Sequence, residues 1–162
     1  MTDARRPATA SIVSGYFNPL HHGHLDLLEA ARERSGHLIV VVNNDKQQLL
    51  KKGRVIQTED VRARIVGALR VVDKVYVAVE DGPGIDATFD LIRADYPGTD
   101  LEFCNGGDRR DLQSLPVEES EAAARNDIRM AYGIGGTDKA DSSSRITADM
   151  EAGAGPSPSR PA

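Results

Sequence analysis

Apolar residues along this chain fall into short continuous runs, and between the runs they recur every three or four positions. Ala10 to Ser14 is short, apolar and partly β-branched and closes at Gly15, the pattern of a buried strand. From Gly23 to Ser35, Leu25, Leu28 and Ala31 fall at helical spacing, and Gly36 supplies a C-terminal stop. Leu38 to Val42 is unbroken apolar sequence, as expected of a parallel strand covered on both faces. Thr58 is placed to cap a helix with Glu59 and Asp60 in its first turn and Val61, Ile65 and Leu69 on one face. Val75 to Val79 reads as the third strand, and Ile85, Phe89 and Ile92 mark a further amphipathic helix. Leu101 to Cys104 is a fourth strand ending before Gly106 and Gly107. Ser120 to Asn126 reads as helix, and Ile128 to Ile134 contains a last strand.

Strand and helix alternate with connections too long for hairpins. That order predicts an α/β domain over residues 10–150, with a parallel sheet, right-handed crossovers and helices on both faces. Residues 1–9 are polar and basic with a proline and read as a disordered arm. Residues 151–162 shift to Gly, Ala, Pro and Ser, the composition of a flexible tail or interdomain linker.

Composition narrows the function classes. The 162 residues suffice for one hydrophobic core, and the net charge of −5 argues against broad nucleic-acid binding, which needs a basic face. A local cluster of cations can still hold a small anion inside an acidic protein. The single cysteine, Cys104, forms no intramolecular disulfide, and no apolar run reaches membrane-spanning length. A cytoplasmic protein without membrane or nucleic-acid partners is expected.

The candidate chemistry centres on Gly15-Tyr16-Phe17-Asn18-Pro19-Leu20-His21-His22-Gly23-His24, between the first strand and the first helix. In an open parallel sheet, ligands bind beyond the carboxyl ends of the strands, where this loop lies. A helix N-terminus there offers unpaired N–H groups to phosphate. His21 and His24 add side-chain donors, and Gly23 lets a phosphate approach the backbone. Three histidines in four residues also admit a metal site, but no cysteine or acidic partner lies nearby at ligand spacing, so no metal is assigned. Gly-x-Gly-x-x-Gly is missing after the first strand, which argues against a dinucleotide-binding dehydrogenase.

These residues resemble the cytidylyltransferase-like nucleotidyltransferase superfamily, whose hallmark is His-x-Gly-His after a Gly-x-Phe-(Asp/Asn)-Pro turn. The likeness runs from about Ser11 to Thr147 and is strongest to glycerol-3-phosphate cytidylyltransferases and heptose-phosphate adenylyltransferases. It implies a Rossmann-like domain with a five-stranded sheet, a homodimer, and Mg2+ carried with a nucleoside triphosphate. It further implies that His21 and His24 stabilise charge at the α-phosphorus, that Gly15, Tyr16, Phe17 and Gly23 line the nucleotide, and that Asn18 orients the acceptor or phosphate.

Four further segments join the site by the same resemblance. A lysine run is ordinarily a solvated face, but Lys51 and Lys52 follow the second strand, where similar proteins place a phosphate-holding lysine. Lys52 is assigned a catalytic role, with Lys51 and Lys46 on the acceptor side. Arg62, in a Glu-x-x-Arg helix, is expected to touch the acceptor phosphate. Gly106, Gly107 and Asp108 match the Gly-Gly-Asp that approaches the nucleotide, with Arg109 adding charge for the acceptor. Lys139, Ser142, Ser143 and Ser144 match a Ser-rich element that binds the β- and γ-phosphates. Close relatives have an arginine at the position of Thr137.

The reaction so implied is CMP transfer from CTP to a small phosphate or phosphonate acceptor, with release of pyrophosphate. An ATP-dependent adenylyltransferase acting on a sugar phosphate, or a catalytically silent nucleotide sensor, stands as the alternative.

Overall fold

The computed structural model describes residues 6–106 and 117–135, with side chains in the second stretch from Ser120 onward. The strands are β1 (Thr9–Gly15), β2 (Leu38–Val42), β3 (Lys74–Val77), β4 (Asp100–Cys104) and β5 (Ile128–Ala131). They form one parallel five-stranded sheet in the order β3-β2-β1-β4-β5. The helices are α1 (His22–Ser35), α2 (Asp45–Lys52), α3 (Glu59–Gly67), α4 (Asp86–Asp95) and α5 (Val117–Arg125).

Alternate residues of the central strands serve two cores, because successive side chains in a strand point to opposite faces. Ala10, Ile12, Ile39, Val41, Leu101 and Phe103 pack with Ile85, Phe89 and Ile92 of the α4 side and Ala122 and Ala123 of α5. Val13, Leu38, Val40 and Val42 pack on the other face with Leu28 and Ala31 of α1 and Val66 of α3. All five residues of β2 are fully buried, which accounts for their unbroken apolar run. No helix among the described residues is long and apolar enough to cross a membrane.

Three local expectations are corrected. Helix α2 carries the lysine run, where the sequence pattern assigned no helix. Asn44 caps it by accepting from the Gln47 N–H at 2.9 Å, Gln47 Oε1 takes the Asn44 N–H in return, and Gly53 ends it at φ 73°. Helix α3 turns a different face inward: Val61 and Ile65 are exposed, while Arg62 and Val66 are fully buried. A guanidinium with enough hydrogen-bond partners displaced the apolar stripe from that position. Part of the span assigned to the arm also joins the sheet, since Thr99 Oγ1 donates to Pro7 O and the Asp100 N–H to Ala8 O, and Thr9 begins β1.

A carboxylate clamps α1 to the sheet. Glu102, in β4, is buried and receives both Arg34 Nε at 2.9 Å and Arg34 Nη2 at 2.6 Å. The Arg34 hydrogen bonds hold the Glu102 carboxyl below the usual carboxylate range despite its burial. A depressed carboxyl stabilises the fold above its unfolded pKa, and that contribution is lost as pH falls through the folded value. Glu102→Gln is expected to cost about 1–2 kcal/mol near neutral pH, the low end for a buried pair because Arg34 is half exposed. Thermal melts of both proteins should converge well below about pH 4, and a difference that persists unchanged at acid pH would contradict the assignment.

Candidate active site

The strand order sets the location. The chain builds outward from β1 to β2 and β3, then returns to lay β4 on the other side of β1. The carboxyl ends of β1 and β4 therefore diverge at a topological switch point, the usual ligand crevice of such sheets. Gly15 ends β1 there, and Asn105 and Gly106 follow β4.

The loop from Gly15 to His21 is built tightly. Phe17 is buried at φ 53°, a left-handed conformation that side chains other than glycine rarely adopt. Its ring lies across Gly15, where a Cβ would come within 3.0 Å of the ring. Gly15 is thus needed for close approach. Asn18 is fully buried: its Nδ2 donates to Gln48 Oε1, and its Oδ1 accepts the Gln57 N–H at 3.0 Å. It fastens the loop to α2 and to the α2–α3 connection.

His21 is the N-cap of α1, and Gly23 and His24 lie in its first turn. The His21 backbone N–H donates to His24 Nδ1 at 3.2 Å. With Nδ1 accepting this bond, Nε2 is left as the ring's donor position. The His21 and His24 rings stack at 3.7 Å, and the Phe17 ring meets His24 edge-on at 4.9 Å. A fixed donor therefore stands at the positive end of a helix dipole, the end that favours anions. His22 is exposed.

Helix α2 brings the lysines to the same loop. Lys51 Nζ lies 4.8 Å and Lys52 Nζ 5.9 Å from the Tyr16 ring centre. Lys52 is partly buried, and that burial, with Lys51, Arg62 and Arg54 adding repulsion, lowers its pKa below the ordinary lysine value. Cations crowded until one loses charge more readily form a site that an anion relieves. Lys46 is held elsewhere, in an exposed ion pair with Asp81 at 2.6 Å. Arg62, expected on the acceptor side, is wholly buried and donates to Gln57, Tyr16, Asn43 and Asp45.

Gly106 lies at the end of β4, next to Asn105, whose backbone is tied to Ala131 and Ile134. Gly107, Asp108, Arg109, Lys139, Ser142, Ser143 and Ser144 lie outside the described residues. Sequence reasoning missed the residues that hold α2 in place. Gln47 Nε2 donates to Gly82 O and Gly84 O, and Asn44 Nδ2 to Ala78 O and Glu80 O. The Asn-x-x-Gln spacing was the available signal for them. Cys104 is buried and its thiol is pushed up to about 11, which leaves it without a nucleophilic role at neutral pH.

A family model described as cytidylyltransferase-like matches residues 12–104, more than half of the chain. The chain belongs to the cytidylyltransferase-like family. Over 81 residues it is 41% identical to the bifunctional protein HldE of Gluconobacter oxydans, covering 49% of this chain and 17% of that protein. Over 110 residues it is 34% identical to the FAD synthase of Pyrococcus horikoshii, covering 64% of this chain and 72% of that enzyme. The chain thus spans about a sixth of the HldE relative's length. The crystal structure of the lipopolysaccharide core biosynthesis protein from Thermoplasma volcanium shares the fold, with a TM-score of 0.58 and 20% identity, over 82% of this chain and 98% of that one.

Proposed function

We propose that this chain is a nucleotidyltransferase that moves AMP from ATP to a sugar phosphate and releases pyrophosphate. The observation that carries the reaction class is the His21–His24 pair at the start of α1, with the His24 donor oriented by the His21 backbone and placed at the sheet's switch point. An acceptor phosphate oxygen attacks the α-phosphorus in line, a new P–O bond forms, and the bond to the bridging oxygen breaks. The electron pair leaves with pyrophosphate and the Mg2+ that entered with ATP. A phosphate anion is already a nucleophile, so no general base is needed, and rate comes from positioning and electrostatic stabilisation. His24 Nε2–H serves the phosphate oxygens, and Lys52 offsets charge spreading toward the leaving group.

The choice of ATP replaces the initial expectation of CTP. FAD is an adenylyl compound by its name, and FAD synthase is a relative that this chain covers for most of its length. The run from Leu38 to Asp73 and Gly106-Gly107-Asp108 also resemble the heptose-phosphate adenylyltransferases, which supports a sugar phosphate as acceptor. With equal ATP and CTP and a panel of sugar phosphates, mass spectrometry is expected to find AMP in the product with stoichiometric pyrophosphate. Exclusive CMP transfer would reverse the base assignment, and no pyrophosphate with any acceptor would remove the activity.

A further inference from the structure

Arg62 is the largest of the fully buried side chains among the described residues and is charged. Burying a guanidinium is costly unless its N–H groups are satisfied, and here they are spent on separate segments that meet beneath the site. Arg62 Nε donates to Gln57 O at 2.8 Å, in the α2–α3 connection. Its Nη1 donates to Tyr16 O at 3.0 Å, in the histidine loop, and to Asn43 O at 2.5 Å, at the end of β2. Its Nη2 pairs with Asp45 Oδ1 at 2.8 Å, at the first residue of α2. The Asp45 backbone N–H in turn donates to Glu59 Oε1 at 3.1 Å, so α2 and α3 clasp each other through both residues.

Two consequences follow from this geometry. The only cis peptide among the described residues is Asn18–Pro19, so the Tyr16–Phe17 peptide is trans and its C=O and N–H point in opposite directions. Arg62 draws the Tyr16 carbonyl downward, which turns the Phe17 N–H away from Arg62, on the side opposite the buried guanidinium. Phe17 is the residue held at φ 53°, and a conformation of that kind persists where its surroundings over-determine it. Asp45, meanwhile, fixes the start of the helix whose last turn carries Lys51 and Lys52. Asp45 is Arg62's one carboxylate partner in these contacts and is itself part exposed, so positive potential from the guanidinium persists toward Lys52.

We propose that Arg62 is a positioning residue that acts from beneath the site, setting the Tyr16–Phe17 peptide and the lysine-bearing end of α2 at the same time. The inference rests on the nucleotidyltransferase reading for its kinetic consequence but not for its structural one. It assigns Arg62 no contact with substrate.

The test compares Arg62→Gln, Arg62→Lys and Val66→Ala, the last an equally buried neighbour on α3 that serves apolar packing. Arg62→Gln should lower kcat by about 30-fold, within the ~100-fold that small misplacements cost, with a smaller change in KM. Arg62→Lys, which keeps the charge but lacks the fork, should recover only part of that loss. Val66→Ala should lower the melting temperature while kcat stays near wild type. Separately, 13C NMR titration of labelled lysines reads the coupling without turnover: the Lys52 pKa should rise in Arg62→Gln and stay put in Val66→Ala. An unmoved Lys52 in Arg62→Gln, or equal kinetic losses in Arg62→Gln and Val66→Ala, would overturn the proposal. Wild-type protein lacking any transfer activity would overturn the reaction and leave the NMR result to decide the role of Arg62.

Discussion

Replacing His24 with alanine is expected to lower kcat by about 100- to 1,000-fold while the dissociation constant for ATP changes by less than about tenfold, the range seen when one preorganised oxyanion donor is lost. The reason lies in when the bond matters. In the ground state the triphosphate is held by several groups at once, and one neutral donor adds little. As the acceptor oxygen attacks, negative charge grows on the oxygens at the α-phosphorus, and a donor already aimed there stabilises the transition state more than the complex. In the proposed mechanism His24 fills that role, since the His21 N–H bonds to its Nδ1, and stacking on His21 with the Phe17 edge holds the ring. His24→Asn retains an N–H in another place and should recover little. Single-turnover rates with radiolabelled ATP, alongside equilibrium titration of the same variants, separate the two quantities. Equal losses in affinity and rate would show that His24 acts in uniform binding.

Lys52→Ala carries the second large effect. Truncating one partner of a desolvated charge pair costs about 2–5 kcal/mol, so a loss of about 30-fold to several thousandfold in kcat/KM is expected. Its signature is in the pH profile. The lowered Lys52 pKa comes first from burial, then from Lys51, Arg62 and Arg54. The ammonium must be charged to hold phosphate, so activity is present below that pKa and lost as pH rises through it, earlier than an ordinary lysine would allow. Bound triphosphate favours the charged form and moves the alkaline limb of kcat upward relative to that of kcat/KM. Lys51→Ala removes one source of repulsion and should shift the limb upward without abolishing activity. An alkaline limb identical in wild type and Lys51→Ala would argue that another group sets it.

Much of the architecture was legible in the chain because the patterns were strong and local. Leu38 to Val42 could be read as a doubly covered strand because five apolar residues in succession have no solvated face in either periodicity. Gly36 and the loop from Gly15 to His24 were legible for the same reason: a left-handed helix stop and a strand–loop–helix histidine motif are properties of neighbouring residues. Helix α3 shows where local reading fails. Val61, Ile65 and Leu69 make the better apolar stripe, yet Arg62 is the residue inside, because its partners Tyr16, Asn43, Asp45 and Gln57 come from segments that only the fold assembles. Asn18 and Gln48 went inward on the same principle, a buried polar side chain being stable once its hydrogen bonds are made. Sequence by itself determined the strands, their order along the chain and the strand–loop–helix histidine motif, but not helix α2. Tertiary structure alone decided which polar groups are beneath that loop and which are left to meet a substrate, since burial of a charge depends on partners distant in the chain.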